Sequence, residues 1–168
     1  EAAKNAAVRE TAEEAGLKLS SDEFVWFAHW TPPASTPKRY ATWFFLAPLD
    51  DDDEIQVDGG EILKYQWIRP ADAHTKHAAG EIDLAPPTWI TLYQLAQYER
   101  MNELMSFLRD EPAKYYETKI LKNGAGERVA IWSGDSAYES GNTDEQGDRH
   151  RLILGGEGFV FENTVANY

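Results

Sequence analysis

The sequence predicts an α/β protein with a small β-rich C-terminal extension. An Ala-rich segment without Gly or Pro opens the chain, and aromatic and β-branched runs of strand length follow it. Short apolar runs separated by Gly- and Asp-rich turns close the chain, which is typical of β-hairpins. Because the composition changes after Pro112, we expect a first domain over residues 1–111 and an extension over residues 112–168.

The composition excludes several classes of protein. Among 168 residues, 16 Lys and Arg stand against 29 Asp and Glu, so the formal charge is −13 and no nucleic-acid coat is expected. The chain has no cysteine, which excludes a disulfide framework, a thiolate metal site and a cysteine nucleophile. Its apolar runs are shorter than the roughly 20 residues that cross a bilayer, so no membrane partner is expected. We take the reducing cytoplasm as the default location.

The chain alternates between helical and strand-like segments. Residues 2–15 are rich in helix formers and are followed by Gly16, a residue that commonly ends a helix. Further helices are expected over residues 70–79 and 86–108, where proline stands at the first turn. A Pro-rich loop covers residues 31–37. The predicted strands are residues 23–29, 39–48 and 62–68 in the first domain, and residues 119–121, 129–132, 152–154 and 159–161 in the extension.

The first helix carries carboxylates along one side. At about 100° per residue, Glu10, Glu13 and Glu14 fall within an arc of about 100°. The opposite arc has small residues suited to packing, which are Val8, Thr11, Ala12 and Ala15. Like charges at this spacing destabilise an isolated helix by about 0.2 to 0.5 kcal/mol a pair. The nearby positive charge is Arg9, at the edge of the acidic arc. One interpretation is that the converging carboxylates are ligands for a hard divalent cation. The alternative is that they form an acidic helix face exposed to solvent.

The spacing of these residues resembles a known motif. The run Glu1-x7-Arg9-Glu10-Thr11-Ala12-Glu13-Glu14-Ala15-Gly16-Leu17 is similar to the Nudix box, G-x5-E-x7-R-E-U-x-E-E-x-G-U, in which U is aliphatic. The matching fixed positions are Glu1, Arg9, Glu10, Glu13, Glu14 and Gly16. Thr11 departs from the first aliphatic position, and the motif's initial Gly would stand before Glu1. The resemblance implies a Nudix-like α/β/α sandwich with a mixed sheet, and we expect this fold to be N-terminally incomplete.

The resemblance also implies a reaction and a cofactor. Nudix hydrolases cut a diphosphate that joins a nucleoside to another group, and they use Mg²⁺ or Mn²⁺. By this resemblance, Glu13 and Glu14 would be metal ligands. Glu10 would bind the metal or orient the attacking water, as the general base or beside it. Arg9 would hold the glutamates through ion pairs, and Glu1 would support the metal site.

Three residues outside the first helix are further candidates. Glu61 follows two glycines, in a region where Nudix proteins often supply a further metal ligand or the general base. An exposed turn carboxylate is an equally weighted alternative. Lys38 and Arg39 could bind a substrate phosphate, because guanidinium geometry suits phosphate. Cations that simply face water at a strand end are the favoured alternative for this pair.

Segments beyond the box resemble one branch of the family. Residues 29–32, 38–47 and 84–88 are similar to the branch that contains peroxisomal coenzyme A diphosphatases. This resemblance implies coenzyme A or an acyl derivative as the substrate, with ADP-ribose, nucleotide sugars and dinucleotides as alternatives. A non-catalytic Nudix-fold module that binds nucleotides is a further alternative. The expected partner is therefore a small nucleotide-type molecule, and a homodimer is left open.

Overall fold

The structure, a computed structural model, describes residues 1–50, 54–57, 59–60, 64–156 and 158–165. Two sheets and five helices are formed by these residues. In chain order the elements are α1 (Ala2–Ala15), β1 (Val25–Thr31), β2 (Thr42–Leu46), α2 (Pro70–Ala78), α3 (Pro86–Leu95), α4 (Met101–Asp110), β3 (Lys114–Glu117), β4 (Lys119–Lys122), β5 (Arg128–Ile131), α5 (Ala137–Ser140), β6 (His150–Gly155) and β7 (Gly158–Asn163). One sheet has the strand order β2-β1-β3, and the other has the order β4-β5-β6-β7. The predicted α/β class is confirmed.

The chain divides into two compact units. Unit 1 contains Glu1–His29, Trp43–Ile68 and Tyr98–Lys114. Unit 2 contains Trp30–Thr42, Arg69–Gln97 and Tyr115–Tyr168. Within the part of the chain that the structure describes, no helix is long and apolar enough to cross a membrane.

Helix α1 has the predicted bounds but a different packing face. It ends at Gly16, whose φ of 70° is the left-handed conformation that glycine adopts easily. None of its residues is fully buried, and Ala12, predicted to pack, is exposed. The half-buried positions include Thr11 and Glu14, so the packed side is rotated by about 50° toward Glu14. As a result Glu10 and Glu13 are exposed and Glu14 lies at the border.

The core of unit 1 is formed by aromatic pairs and by helix α4. Phe24 contacts Phe45 edge to face at 6.2 Å between ring centroids, and Phe27 contacts Phe44 in the same way at 6.4 Å. Such pairs add about 0.5 to 1.5 kcal/mol to the gain from burying their surface. Three residues of α4 are buried on its apolar side, Leu104, Met105 and Leu108. These contacts fix the strands that follow α1 in the chain.

The single long helix predicted over residues 86–108 is wrong. The structure has two helices, α3 and α4, separated by residues 96–100. Helix α3 belongs to unit 2, whereas α4 belongs to unit 1, and each has buried residues of its own. One straight helix presents a single stripe of core residues, so a chain that supplies two separate cores must break between them.

The strand predicted over residues 62–68 is also wrong where it is described. Residues 62–63 lie outside the described residues, and residues 64–68 belong to neither of the two sheets. The alternating pattern is present in the sequence, but its large members Tyr65 and Trp67 are exposed by 52% and 70%. A pattern of alternation becomes a strand only when a neighbouring backbone pairs with it.

In unit 2 the four predicted strands of the extension form an antiparallel meander. The register pairs Val129 with Ile153 and Ile153 with Val160, so these side chains share one face. Phe159 and Phe161 point to the other face, where their rings contact Trp89 of α3 at 6.4 and 6.2 Å. Helix α3 and the extension therefore form one continuous aromatic core.

An ion pair is buried beside this meander. The Arg151 guanidinium donates to both carboxylate oxygens of Asp135, at 2.7 and 2.5 Å, and the two side chains are 5% and 0% exposed. Burial raises the pKa of Asp135, but hydrogen bonds from Arg151 and from the backbone N–H groups of His150 and Ala137 outweigh it, so the pKa lies below its ordinary value. The ion pair thus joins the turn after β5 to strand β6 within unit 2.

Candidate functional site

The predicted catalytic residues are displayed along α1 in unit 1. A terminal nitrogen of Arg9 lies 3.3 Å from Oε1 of Glu10, and Nε of Arg9 lies 3.9 Å from Oε2 of Glu13. The side chains of Glu10 and Glu13 are 56% and 65% exposed. Exposed ion pairs of this kind contribute about 0 to 1 kcal/mol, so these carboxylates can exchange Arg9 for another cation at little cost. Arg9 lies within ion-pair distance of two of the three glutamates on this helix.

The structure brings some predicted metal ligands together and separates another. Glu10, Glu13 and Glu14 occupy one arc of the helix, whereas Glu1 precedes the first turn. At 1.5 Å per residue, Glu1 lies about 13 Å from Glu10 along the helix axis. Glu61 falls outside the described residues. In the described part of the chain, no group of three or more His, Asp or Glu side chains is arranged to hold a metal ion.

The donor chemistry on α1 still fits a divalent cation. Mg²⁺ binds oxygen ligands, retains several waters and needs only one or two protein carboxylates beside the phosphates of a substrate. Glu10 and Glu13 offer exposed carboxylates on neighbouring turns, and Glu14 stands next to both at the border of the packed face. Side chains three or four residues apart on a helix are neighbours, so these three carboxylates lie on adjacent turns.

Local structure holds the C-terminal end of this helix in place. The backbone N–H of Gln56 donates to the carbonyl of Ala15 at 2.9 Å. A Cβ on Gly16 would lie 3.1 Å from Cβ of Gln56, so the neighbouring segment passes close to the helix end. The glycine of the motif therefore serves both a left-handed turn and a close backbone approach.

The predicted phosphate-binding cations lie in unit 2, in the loop between β1 and β2. Lys38 is exposed, whereas Arg39 has two partners. Nε of Arg39 donates to the carbonyl of Pro32 at 3.0 Å, and a terminal nitrogen lies 3.8 Å from Oε1 of Glu117. The sequence did not point to Glu117, since the short strand β3 that carries it was not among the predicted elements.

Comparisons with known proteins show a family and several relatives to which this chain is similar. The family model of the NUDIX domain matches residues 1–87, just over half of the chain. Acyl-coenzyme A diphosphatase NUDT19 of Homo sapiens is 30% identical over 122 residues, which cover 68% of this chain and 32% of that protein. The proteins of the same name from Gallus gallus and Xenopus laevis are 26% identical over 119 residues and 21% identical over 145 residues, covering 67% and 83% of this chain.

The coverage of these relatives is partial. The chain spans 32% of the Gallus gallus protein and 37% of the Xenopus laevis protein, about a third of their length. No solved structure matches the chain. The family match includes all of α1 with its Arg9, Glu10, Glu13 and Glu14. The chain therefore belongs to the NUDIX domain family.

Proposed function

We propose that this chain carries the catalytic helix of a metal-dependent hydrolase that cuts a diphosphate joining a nucleoside to another group. We propose coenzyme A or acyl-coenzyme A as the substrate, because relatives named acyl-coenzyme A diphosphatase align with two thirds or more of the chain. ADP-ribose, nucleotide sugars and dinucleotides are the competing substrates. The cofactor is Mg²⁺ or Mn²⁺.

The observation that carries this proposal is the acidic side of α1. Glu10 and Glu13 are exposed on neighbouring turns, Glu14 stands beside them, and Arg9 lies within ion-pair distance of Glu10 and Glu13. This arrangement lowers helix stability, since like charges at this spacing repel by about 0.2 to 0.5 kcal/mol a pair. A bound divalent cation would offset that repulsion, which is a physical reason for this arrangement of carboxylates.

In the proposed reaction, a water molecule attacks one phosphorus of the diphosphate. The new P–O bond forms as the bond to the bridging oxygen breaks, and the products are two phosphomonoesters. Glu10 receives the proton of the attacking water, while Glu13 and Glu14 hold the cation and Arg9 keeps the glutamates oriented. The cation, when bound, supplies positive charge that offsets the charge of the phosphates.

Substitution of one glutamate tests the proposal. The protein is assayed with coenzyme A, ADP-ribose, nucleotide sugars and dinucleotides, with and without Mg²⁺. Glu14→Gln should lower the rate by about tenfold or more, as expected when one electrostatic partner of the reaction is removed. Glu103→Gln, an exposed glutamate of α4 in the same unit, is the matched control and should leave the rate unchanged.

The outcomes separate catalysis from binding. Turnover that requires Mg²⁺, stops with EDTA and falls in Glu14→Gln supports the hydrolase. Equal turnover in the wild type and in Glu14→Gln would remove Glu14 from the mechanism. Thermal stabilisation by a nucleotide without any product would instead identify a non-catalytic binding module.

A further inference from the structure

Arg39 is held in a fixed orientation by its own loop. Its Nε–H donates to the carbonyl of Pro32, seven residues earlier, and the backbone N–H of Thr36 donates to the carbonyl of Pro33 at 2.9 Å inside the same loop. The first bond uses Nε, and the two terminal nitrogens form the remaining edge of the guanidinium, which we call its outward edge. A guanidinium oriented in this way loses less conformational freedom when it binds an anion.

The outward edge of Arg39 faces a carboxylate on the neighbouring strand. Oε1 of Glu117 lies 3.8 Å from a terminal nitrogen of Arg39, which is beyond hydrogen-bond distance. The Glu117 side chain is 69% exposed, so water screens this attraction. The contact is therefore a loose ion pair that an anion of higher charge can replace.

The backbone around this pair is fixed. The N–H of Thr118 donates to the carbonyl of Thr31 at 3.0 Å, directly before the loop, and the carbonyl of Glu117 accepts a hydrogen bond from the Tyr138 hydroxyl at 3.1 Å. Glu117 and the first residue of the Arg39 loop are thus anchored beside each other. Their proximity follows from the strand pairing and does not depend on the ion pair itself.

We propose that the outward edge of Arg39 binds a phosphate group and that Glu117 is a built-in competitor for this edge. Glu117 would therefore set the affinity and discriminate against weakly charged ligands, because only an anion with more charge than a carboxylate displaces it. A phosphate group carries up to about two negative charges and offers oxygens that fit the guanidinium fork. The inference concerns unit 2 alone and goes beyond the proposed function.

Binding of inorganic pyrophosphate tests the competition directly. The full chain is titrated by calorimetry in EDTA, so that divalent cations on α1 contribute nothing and no turnover is needed. Glu117→Gln should bind pyrophosphate about two- to fivefold more tightly than the wild type, the range expected for the loss of one exposed ion pair. Arg39→Gln should weaken binding, and adding Glu117→Gln to it should then have no further effect.

A matched control separates the competition from a general charge effect. Glu139 also lies 3.8 Å from a cation, Lys119, and its side chain is 89% exposed. Glu139→Gln removes the same charge from unit 2 and should change the affinity by less than Glu117→Gln does. Circular dichroism of each variant confirms that it folds.

Three results would overturn the inference. The first is an equal gain in pyrophosphate affinity in Glu117→Gln and Glu139→Gln. The second is a gain in affinity from Glu117→Gln that persists in the Arg39→Gln background. The third is that neither the wild type nor Glu117→Gln binds pyrophosphate. The turnover assay with Mg²⁺ reports on the proposed hydrolase separately. Failure of the pyrophosphate titration and failure of the turnover assay can therefore be told apart.

Discussion

Replacing Asp135 by Asn should destabilise unit 2 strongly. Asn keeps the shape of the side chain, so no cavity forms, but it removes the charge that faces Arg151. The Arg151 side chain is 5% exposed and would lose the carboxylate with which it forms its buried ion pair. Breaking a buried pair by removing one partner costs about 3 to 5 kcal/mol. This is a large part of the stability of about 5 to 15 kcal/mol that is typical of a folded domain.

Urea unfolding at neutral pH measures this change. Far-UV circular dichroism follows the whole chain, and tryptophan fluorescence includes Trp132, which is fully buried in the same unit. Asp83→Asn is the control, since Asp83 is an exposed aspartate in the same unit and its loss should change stability by less than about 0.5 kcal/mol. A loss in Asp135→Asn no larger than in the control would refute the buried-charge argument.

The difference in stability between the wild type and Asp135→Asn should depend on pH. Because the folded-state pKa of Asp135 is lowered, its ionised form contributes stability above the unfolded value of about 3.9. That contribution is lost as the pH falls through the lower pKa of the folded state. The stability difference between the wild type and Asp135→Asn should therefore be largest near neutral pH and shrink in acid. A difference that stays constant down to unfolding would contradict the assignment.

Two further substitutions test local contacts by chemical denaturation. Gly16→Ala should cost about 1 to 2 kcal/mol for its left-handed backbone, and more because its Cβ would meet Gln56 at 3.1 Å. Gly80→Ala has a similar φ of 73° with nothing within 4 Å, so an equal loss in both variants would contradict the contact with Gln56. Thr118→Val should cost about 1 to 3 kcal/mol, because the buried Trp132 indole N–H would lose its acceptor at 3.0 Å. A loss below about 0.5 kcal/mol would show that this hydrogen bond is dispensable.

Local sequence signals predicted the elements that depend on near neighbours. Helix α1 and its glycine end, helix α2 at Pro70 and the four strands of the extension follow from propensity, caps and short alternating runs. The same logic located Arg9 beside Glu10 and Glu13, since neighbours on one helix face are set by the helical repeat alone.

Longer-range contacts decided what the sequence could not. The break between α3 and α4 depends on the unit to which each helix belongs. Residues 64–68 do not form a strand, since no strand of either sheet pairs with them. The pairing of Arg39 with Glu117 depends on β3 lying beside the end of β1.

By itself the sequence determined the family and the acidic side of α1, because fixed spacing on one helix is local information. Only the tertiary structure decided that Glu14 borders the packed face, that Asp135 is paired with Arg151 and that Glu117 faces Arg39. The two ion pairs join segments that are distant in the chain. The position of Glu14 depends on which side of the helix packs against other residues. Such contacts are set by the packing of the whole unit, which no local pattern of residues encodes.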